Sequence, residues 1–475
     1  MKALAGIFLD SDSPFSLQGQ ISWQLKEHIQ SGTLKPGEAL PSTRELATQL
    51  KVSRNTVVYA YDRLMSDGYL EPRSRSGIFV STCLVLPQQR PQAPKPRPAD
   101  AVIDGTPTPK SLGPPAPFRP CQPDVTLFPL LVWNRLRGRA LRTSGSSLLH
   151  YQASCNPGLP ALRRNLAAYL RDSRGVRCDW RQIIITSGSQ QALYILSNLL
   201  VRSAEPVYME DPGYVEARLA WQNAGAKIES APIDDEGLKL PATVKRFSLI
   251  YTTPSRQFPT GASLSLRRRR ELIDLMVRTK TWVIEDDYDS ELRYSAPPIP
   301  SLQSLDRSGR GIYVGTFSKL LFPSLRLGYV VVPEPLLDRF QWVKHLIDDH
   351  LPLIDQATLA LFLESGAFYS HIRRCRRAYA ERQSLLLKLV RDSGLPLEFK
   401  YTDGGMNLTG FLPAGTDDKK CAARLKEAGL DIPPLSQYAL RKVQPGLVLG
   451  FTAFDTATIR IAFERMLKVL RPILS

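Results

Sequence analysis

The sequence predicts two unequal units, a small helical unit with a β-hairpin followed by a large α/β unit, and three observations carry that reading. A proline-dense stretch from Leu86 to Pro123 interrupts the 475-residue chain; such a run keeps neither helix nor ladder hydrogen bonds and favours an extended spacer. Ahead of it, apolar residues recur at helical spacing behind good capping residues. Behind it, continuous β-branched runs alternate with helical patterns, which predicts a parallel-rich sheet covered on both faces. The expected boundaries are 14–82 for the small unit, 83–117 for the linker and 118–475 for the large unit. Within the last, a large part spans about 140–340 and a smaller, helix-rich part begins at about Gln341.

In the small unit, SLQGQISWQLKEHIQSG places Ile21, Leu25 and Ile29 four residues apart on one helical face, and Gly32 suits its end. In PSTRELATQL, Ser42 or Thr43 caps a helix that turns Leu46, Ala47 and Leu50 inward. A third helix starts after the short turn KV, with Ser53 as its cap, Val57, Tyr61 and Leu64 inward, and Gly68 at its end. LEPRSRSGIFVS then reads as two short strands around a basic tip. In the large unit, QIIITSG, EPVYMED, FSLIYTT, TWVIEDD and GIYVGTFS read as strands. SQQALYILSNLLV and RRRRELIDLMVR read as helices between them, and HIRRCRRAYAERQSLLLKLV is the clearest long helix of the smaller part.

Composition narrows the class. With 43% hydrophobic and 23% charged residues, the chain is an ordinary globular protein. No apolar run approaches the roughly 18 residues of a membrane span, and the N-terminus fits a secretory signal poorly, so a cytoplasmic protein is expected. The six cysteines are scattered without a C-x-x-C pair or a nearby histidine set and read as free thiols, with no metal site expected. The formal charge is +17. Most of the excess lies beyond residue 124, which is either diffuse surface charge or a basic path for nucleic acid.

Two helices joined by a tight turn, the second starting on a cap, match helix-turn-helix geometry, whose second helix enters the major groove by its first turn. That turn carries Arg54, Asn55 and Thr56. Arginine bonds guanine bidentately, asparagine pairs with adenine, and threonine suits a phosphate or a thymine methyl. Arg44 is placed for a phosphate or base, and Arg73 and Arg75 at the hairpin tip for a minor groove. A helical hairpin with a charged turn is the plain alternative.

In open α/β sheets, ligands sit beyond the carboxyl ends of strands. After QIIIT comes SGSQQAL, a glycine turn opening a helix whose amides suit a phosphate. After TWVIE come Asp286 and Tyr288, and after GIYVGTF come Ser318, Lys319 and, seven residues further, Arg326. A phosphate cradle, an acid, a lysine and an arginine at converging strand ends suit pyridoxal 5'-phosphate, whose aldehyde forms a Schiff base with lysine while an aspartate keeps its pyridine nitrogen protonated. Taken singly, such a lysine is an ordinary surface group, and EDDYD could serve a magnesium ion or a charged loop.

Longer segments decide between these readings. PGEALPSTRELATQLKVSRNTVVYAYDRLMSDGYLE resembles the GntR-type winged helix-turn-helix, although the tip RSRSGIFV keeps only one of the family's usual glycines. TSGSQQAL, MEDPGYVEAR, WVIEDDYDSELRY and GTFSKLLFPSLRLGY resemble the fold-type-I, aminotransferase-like domain of MocR regulators. The resemblance implies Lys319 as the Schiff-base lysine, Asp286 as the pyridine partner and Tyr288 on the ring hydroxyl. It implies Ser189, Gln190, Thr316, Ser318 and Arg326 near the phosphate, Tyr214 beside the ring, and Tyr151 reaching the other subunit's site in a head-to-tail homodimer. Two departures stand out. Arg256 occupies a position where related regulators commonly have histidine, and Val448 lies roughly where aminotransferases place the arginine that grips a substrate carboxylate.

The expected function is a pyridoxal-phosphate-dependent transcriptional regulator that binds double-stranded operator DNA and senses a small amine or amino-acid effector. A genuine aminotransferase with a fused DNA-binding domain is the second reading, disfavoured by the missing carboxylate arginine and the intact helix-turn-helix, although slow half-transamination is compatible with the site. A sensor of the vitamer itself is a third.

Overall fold

The computed structural model describes residues 6–74, 76–82, 116–151, 156–202, 204–241, 246–296, 299–400 and 402–474. The chain divides into two compact units, Met1–Lys110 and Ser111–Ser475. Arg75, Cys83, Cys155 and nearly all of the expected linker lie outside the described residues.

The first unit holds α1 (Leu17–Gln30), α2 (Thr43–Leu50), α3 (Arg54–Ser66), β1 (Leu70–Arg73) and β2 (Gly77–Val80), with the two strands antiparallel. Its helices begin where side-chain oxygens satisfy orphan amides. Ser16 and Ser53 accept from Gly19 and Thr56, and Ser42 forms a reciprocal capping box with Glu45. Ile21, Leu25 and Ile29 meet Leu46, Val57, Tyr61 and Leu64 in one core. Residues ahead of position 14 join it, because Ile7 is buried there and Phe8 exchanges hydrogen bonds with the Gln24 side chain.

The second unit is built on an eight-stranded sheet of order β3-β10-β9-β8-β7-β4-β5-β6. Its strands are β3 (Ile183–Thr186), β4 (Val207–Asp211), β5 (Ile228–Asp234), β6 (Gly237–Leu238), β7 (Leu249–Thr252), β8 (Trp282–Asp287), β9 (Gly311–Thr316) and β10 (Gly328–Val331). The run β5-β4-β7-β8-β9 is parallel. The sheet is mixed rather than purely parallel, since β10 runs antiparallel between β9 and β3, and β6 pairs antiparallel with β5. The chain returns from β9 through the short turn that carries Lys319, and so short a link permits only an antiparallel partner.

Helices α4 (Leu130–Ser144), α5 (Pro160–Arg174), α6 (Ser189–Leu200), α7 (Val215–Asn223), α8 (Leu266–Thr279), α9 (Leu302–Leu305), α10 (Glu334–Asp348) and α11 (Leu353–Glu364) accompany the sheet. Separate apolar cores include one with β3, β9 and β10 residues against α4, α5, α11 and α12 (Ala367–Ser393), and one with β4, β7, β8 and β9 residues against α6, α7 and α10. The C-terminal part adds a three-stranded antiparallel sheet of β11 (Glu398–Phe399), β12 (Asn407–Phe411) and β13 (Gly446–Gly450), with α13 (Asp418–Glu427) and α14 (Thr456–Leu474). The helical reading of that part missed this small sheet. Among the described residues, no helix is long and apolar enough to cross a membrane.

Candidate functional site

On the first unit, the turn between α2 and α3 passes through Lys51 at φ +55, and the Ser53 cap then fixes the first turn of α3. Arg44, Arg54 and Asn55 are exposed. Among the described residues, Arg54 reaches only the Thr43 hydroxyl, at 3.4 Å, which leaves most of its donors unused. Thr56 differs from expectation: it is half-buried, and its hydroxyl lies 2.8 Å from Ser53 Oγ as part of the cap. Arg73 is exposed but held back in its own hairpin, paired with Glu71 at 2.8 Å and stacked over Phe79.

In the second unit, strand register assembles the other predicted residues. Gly328 of β10 pairs with Thr186 of β3 on one side and Thr316 of β9 on the other. The turn after β3 and the Ser318-Lys319 turn after β9 therefore emerge at the same edge. A side chain at Gly328 would come within 2.8 Å of Gly188, and Gly188 itself sits at φ +78 as it opens α6. Both glycines permit a close backbone approach at the opening of α6, where helix-end amides favour an anion. Arg326, exposed and at φ +51, donates from Nη2 to the Ser187 carbonyl at 2.9 Å, bringing its guanidinium to that turn.

Asp286 pairs in register with Val314 of β9 and is buried. The Tyr251 hydroxyl donates to its Oδ2 at 2.7 Å, while Oδ1 is buried without a partner. Burial pushes this carboxyl up to about 7, against the Tyr251 hydrogen bond and the nearby Lys319 ammonium, which both lower it. Lys319 is half-buried and donates from Nζ to the Cys121 carbonyl at 3.1 Å. The Tyr288 hydroxyl, Ser318 Oγ and Gln190 Oε1 are also buried and unpartnered. The Gln190 amide nitrogen is taken by the Glu216 carbonyl, and Thr316 Oγ1 accepts from the Ser318 amide. Ser189 opens α6 and is half-buried. Tyr214 packs edge-on to Phe258, and burial raises its hydroxyl well above the ordinary tyrosine range. Tyr151 is 90% exposed, with its ring centroid 6.1 Å from that of His350.

Sequence reasoning missed several neighbours. Tyr251 was read simply as a strand residue, yet its position one strand away from Asp286 was a signal. Cys121 was grouped with the scattered thiols, but it takes φ +57 and meets Lys319 across 198 positions. Cys375 has a histidine neighbour after all, with Sγ 3.5 Å from His371 Nε2, although no group of three metal-ligating side chains occurs among the described residues. Arg256 is buried in an ion pair with Asp289 at 3.2 Å, and Val448 is buried in a cluster with Phe258, Leu435 and Tyr438.

Residues 17–80 match the family described as bacterial regulatory proteins, gntR family, and residues 136–465 match aminotransferase class I and II. The chain is 37% identical to the "Probable rhizopine catabolism regulatory protein MocR" of Rhizobium meliloti, covering 96% of this chain and 94% of that protein. It is 32% identical to the pyridoxine biosynthesis transcriptional regulator PdxR of Corynebacterium glutamicum, covering 96% of each. Among solved structures, the kynurenine aminotransferase of Pyrococcus horikoshii, determined with PMP, superposes with a TM-score of 0.70 at 28% identity, over 76% of this chain and 91% of that one. LysN of Thermus thermophilus, an α-aminoadipate aminotransferase complexed with N-(5'-phosphopyridoxyl)-L-leucine, gives 0.69 at 28% identity, over 76% and 92%. The capped helix-turn-helix is thus matched by sequence, and the mixed sheet with its converging strand ends by sequence and by structure: the chain belongs to the MocR group of GntR-type transcriptional regulators, in which a DNA-binding head precedes an aminotransferase-like domain.

Proposed function

We propose that the second unit holds pyridoxal phosphate on Lys319 and that an amine or amino-acid effector acting there changes how the head binds operator DNA. The observation that carries this reading is the set of buried, unpartnered polar atoms on Asp286, Tyr288, Ser318 and Gln190, which accompany a lysine at one edge of the sheet. Buried polar groups are ordinarily satisfied, so four such atoms fit a polar ligand. When bound, the cofactor supplies an aldehyde that captures primary amines and a ring that accepts electron density.

The chain's own residues then have distinct tasks. Lys319 would hold the cofactor's aldehyde, and in the free protein its amine donates to the Cys121 carbonyl. Asp286, steadied by Tyr251, keeps a proton on the ring nitrogen, and Tyr288 offers its hydroxyl to the ring oxygen. The first turn of α6, with Ser189 and Gln190, surrounds the phosphate together with Thr316, Ser318 and Arg326, where helix-end amides and a guanidinium both favour an anion. Tyr214 lies beside the ring. Tyr151 belongs to the partner's site in a head-to-tail dimer, which also carries two heads to two half-sites.

Loading the purified protein with pyridoxal phosphate tests the reading. A visible absorbance band that survives gel filtration is expected, and a protein that stays colourless contradicts it.

Asp286 supplies an independent test in the cofactor-free protein. Its folded-state pKa of about 7 lies above the ordinary 3.8, so between those values the folded state holds a proton that the unfolded state lacks. Its contribution is present at low pH and lost as pH rises through about 7, by at most about 1.4 kcal/mol per pH unit. Asp286→Asn is therefore expected to gain stability relative to wild type as pH rises from about 5 to about 7, read by urea denaturation at each pH. A constant difference across that range contradicts the burial argument.

A further inference from the structure

We propose that the second unit carries a second ligand site, apart from Lys319, in which Arg256 and Asp289 together hold a free amino acid with a short side chain as its zwitterion.

The site is a cavity of about 250 Å³ lined by Arg256, Asp289 and Thr402 together with Gly261 and Gly405. A single buried water needs about 10–15 Å³, and pockets for drug-sized ligands run to roughly 300–1,000 Å³, so the space suits a small molecule. Lys319, Asp286 and Tyr288 are not among its lining residues. A chain of contacts nevertheless joins the two places. Arg256 Nη2 donates to the Asn407 carbonyl, the Cys121 thiol lies 3.5 Å from Asn407 Oδ1, and Lys319 Nζ donates to the Cys121 carbonyl at 3.1 Å.

Buried polar groups ordinarily find partners, and this cavity collects several that do not. Arg256 is 7% exposed and Asp289 2%, and their charges stand 3.2 Å apart, between Nε and Oδ2. Even so, Nε and Nη1 of Arg256, Oδ2 of Asp289 and Oγ1 of Thr402 are all buried without a hydrogen-bond partner. Two glycines make room around the guanidinium. A Cβ on Gly405 would fall 1.9 Å from Nε, and a Cβ on Gly261 would fall 3.0 Å from Nη1 and 2.6 Å from Thr402 Cγ2. Nη1 and the Thr402 side chain therefore flank the same space beside Gly261.

Charge balance selects the ligand. The lining carries three arginines, Arg174, Arg256 and Arg293, and three aspartates, Asp235, Asp289 and Asp403. Four of these six are committed, Arg174 to Asp287 at 2.8 Å, Arg293 to Asp403 at 3.0 Å, and Asp235 to Lys400 at 2.6 Å. A balanced lining disfavours a ligand of net charge, which would lose hydration without full return. What remains to be satisfied is a guanidinium with free donors, a carboxylate with a free acceptor, and a hydroxyl. A ligand carboxylate accepts from Arg256 and Thr402, and a ligand ammonium donates to Asp289, both as charge-assisted hydrogen bonds. An α-amino acid carries the two groups side by side. A carboxylate alone leaves Asp289 Oδ2 unsatisfied, and an amine alone leaves Arg256 so.

Isothermal titration calorimetry of the full-length protein, free of pyridoxal phosphate, tests the site with alanine, propionate and ethylamine, because each of the last two lacks one of alanine's charged groups. Alanine is expected to bind saturably and at least about tenfold more tightly than either. Thr402→Val keeps the side chain's shape and removes an atom that has no partner in the free protein. It is expected to weaken alanine about three- to tenfold while leaving the thermal transition in place. Arg256→Lys keeps a cation beside Asp289 without the guanidinium's fixed donors, and is expected to weaken alanine about tenfold or more. Lys319→Ala is expected to bind alanine as the wild type does. Absence of saturable alanine binding overturns the inference, with water alone filling the cavity, and so does equal binding of propionate or ethylamine. Full affinity in both cavity variants, or loss of binding in Lys319→Ala, overturns it by placing the ligand elsewhere. Every titration omits pyridoxal phosphate, so failure of the cofactor reading is a separate result.

Discussion

Lys319→Ala is expected to remain colourless after incubation with pyridoxal phosphate, and borohydride treatment should leave no added mass on the protein, whereas the wild-type chain becomes coloured and is permanently tagged. The effect is all-or-none because alanine has no amine to offer the aldehyde. Stability should change little. The lysine is half-buried and makes one hydrogen bond, to the Cys121 carbonyl, so its loss costs about 1 kcal/mol or less. A coloured or reductively tagged alanine variant would move the attachment point elsewhere.

Arg54→Ala is the second large expected effect, on DNA. A bidentate arginine–guanine contact contributes about 1–3 kcal/mol, roughly a 10- to 100-fold change in affinity per head. Two heads on one operator would combine to about 10²–10⁴-fold, enough to remove the shifted band in a gel titration at wild-type concentrations. The fold should survive, since Arg54 is exposed, its one side-chain contact is the 3.4 Å bond to Thr43, and the Ser53 cap does not depend on it. Retained affinity, measured alongside an unchanged thermal transition, would displace Arg54 from the base-reading role.

Much of this architecture was legible because local chemistry and fold agree. Ser16, Ser42 and Ser53 precede apolar residues at helical spacing, and each caps the helix that follows. The strand that carries Asp286 and the strand that leads into the Lys319 turn are runs buried on both faces, which is how parallel strands read in a sequence. What stayed hidden depends on contacts far apart in the chain. Strand β10 is a short run beginning at Gly328, and only its pairing with Thr186 and Thr316 shows that it brings the turns after β3 and β9 to one edge. Cys121 lies near the end of the proline-rich stretch, and nothing local announces its contact with Lys319. The ion pair of Arg256 with Asp289 joins residues 33 positions apart in loops that leave different strands, so composition alone could not show that the two meet. The three short strands β11, β12 and β13 were submerged in a helix-rich region for the same reason.

On the function proposed, ligand occupancy at Lys319 in the second unit changes DNA binding by the first. A ligand achieves this only by binding two states of the protein unequally, and couplings of this kind are typically about 5- to 150-fold. The direct measurement is the affinity of the full-length protein for an operator selected from a random DNA pool, taken for cofactor-free protein, for protein loaded with pyridoxal phosphate, and for loaded protein saturated with ethanolamine. At least one pair of these states should differ by about fivefold or more, with the difference lost in Lys319→Ala. Identical affinities in all three states would contradict the account.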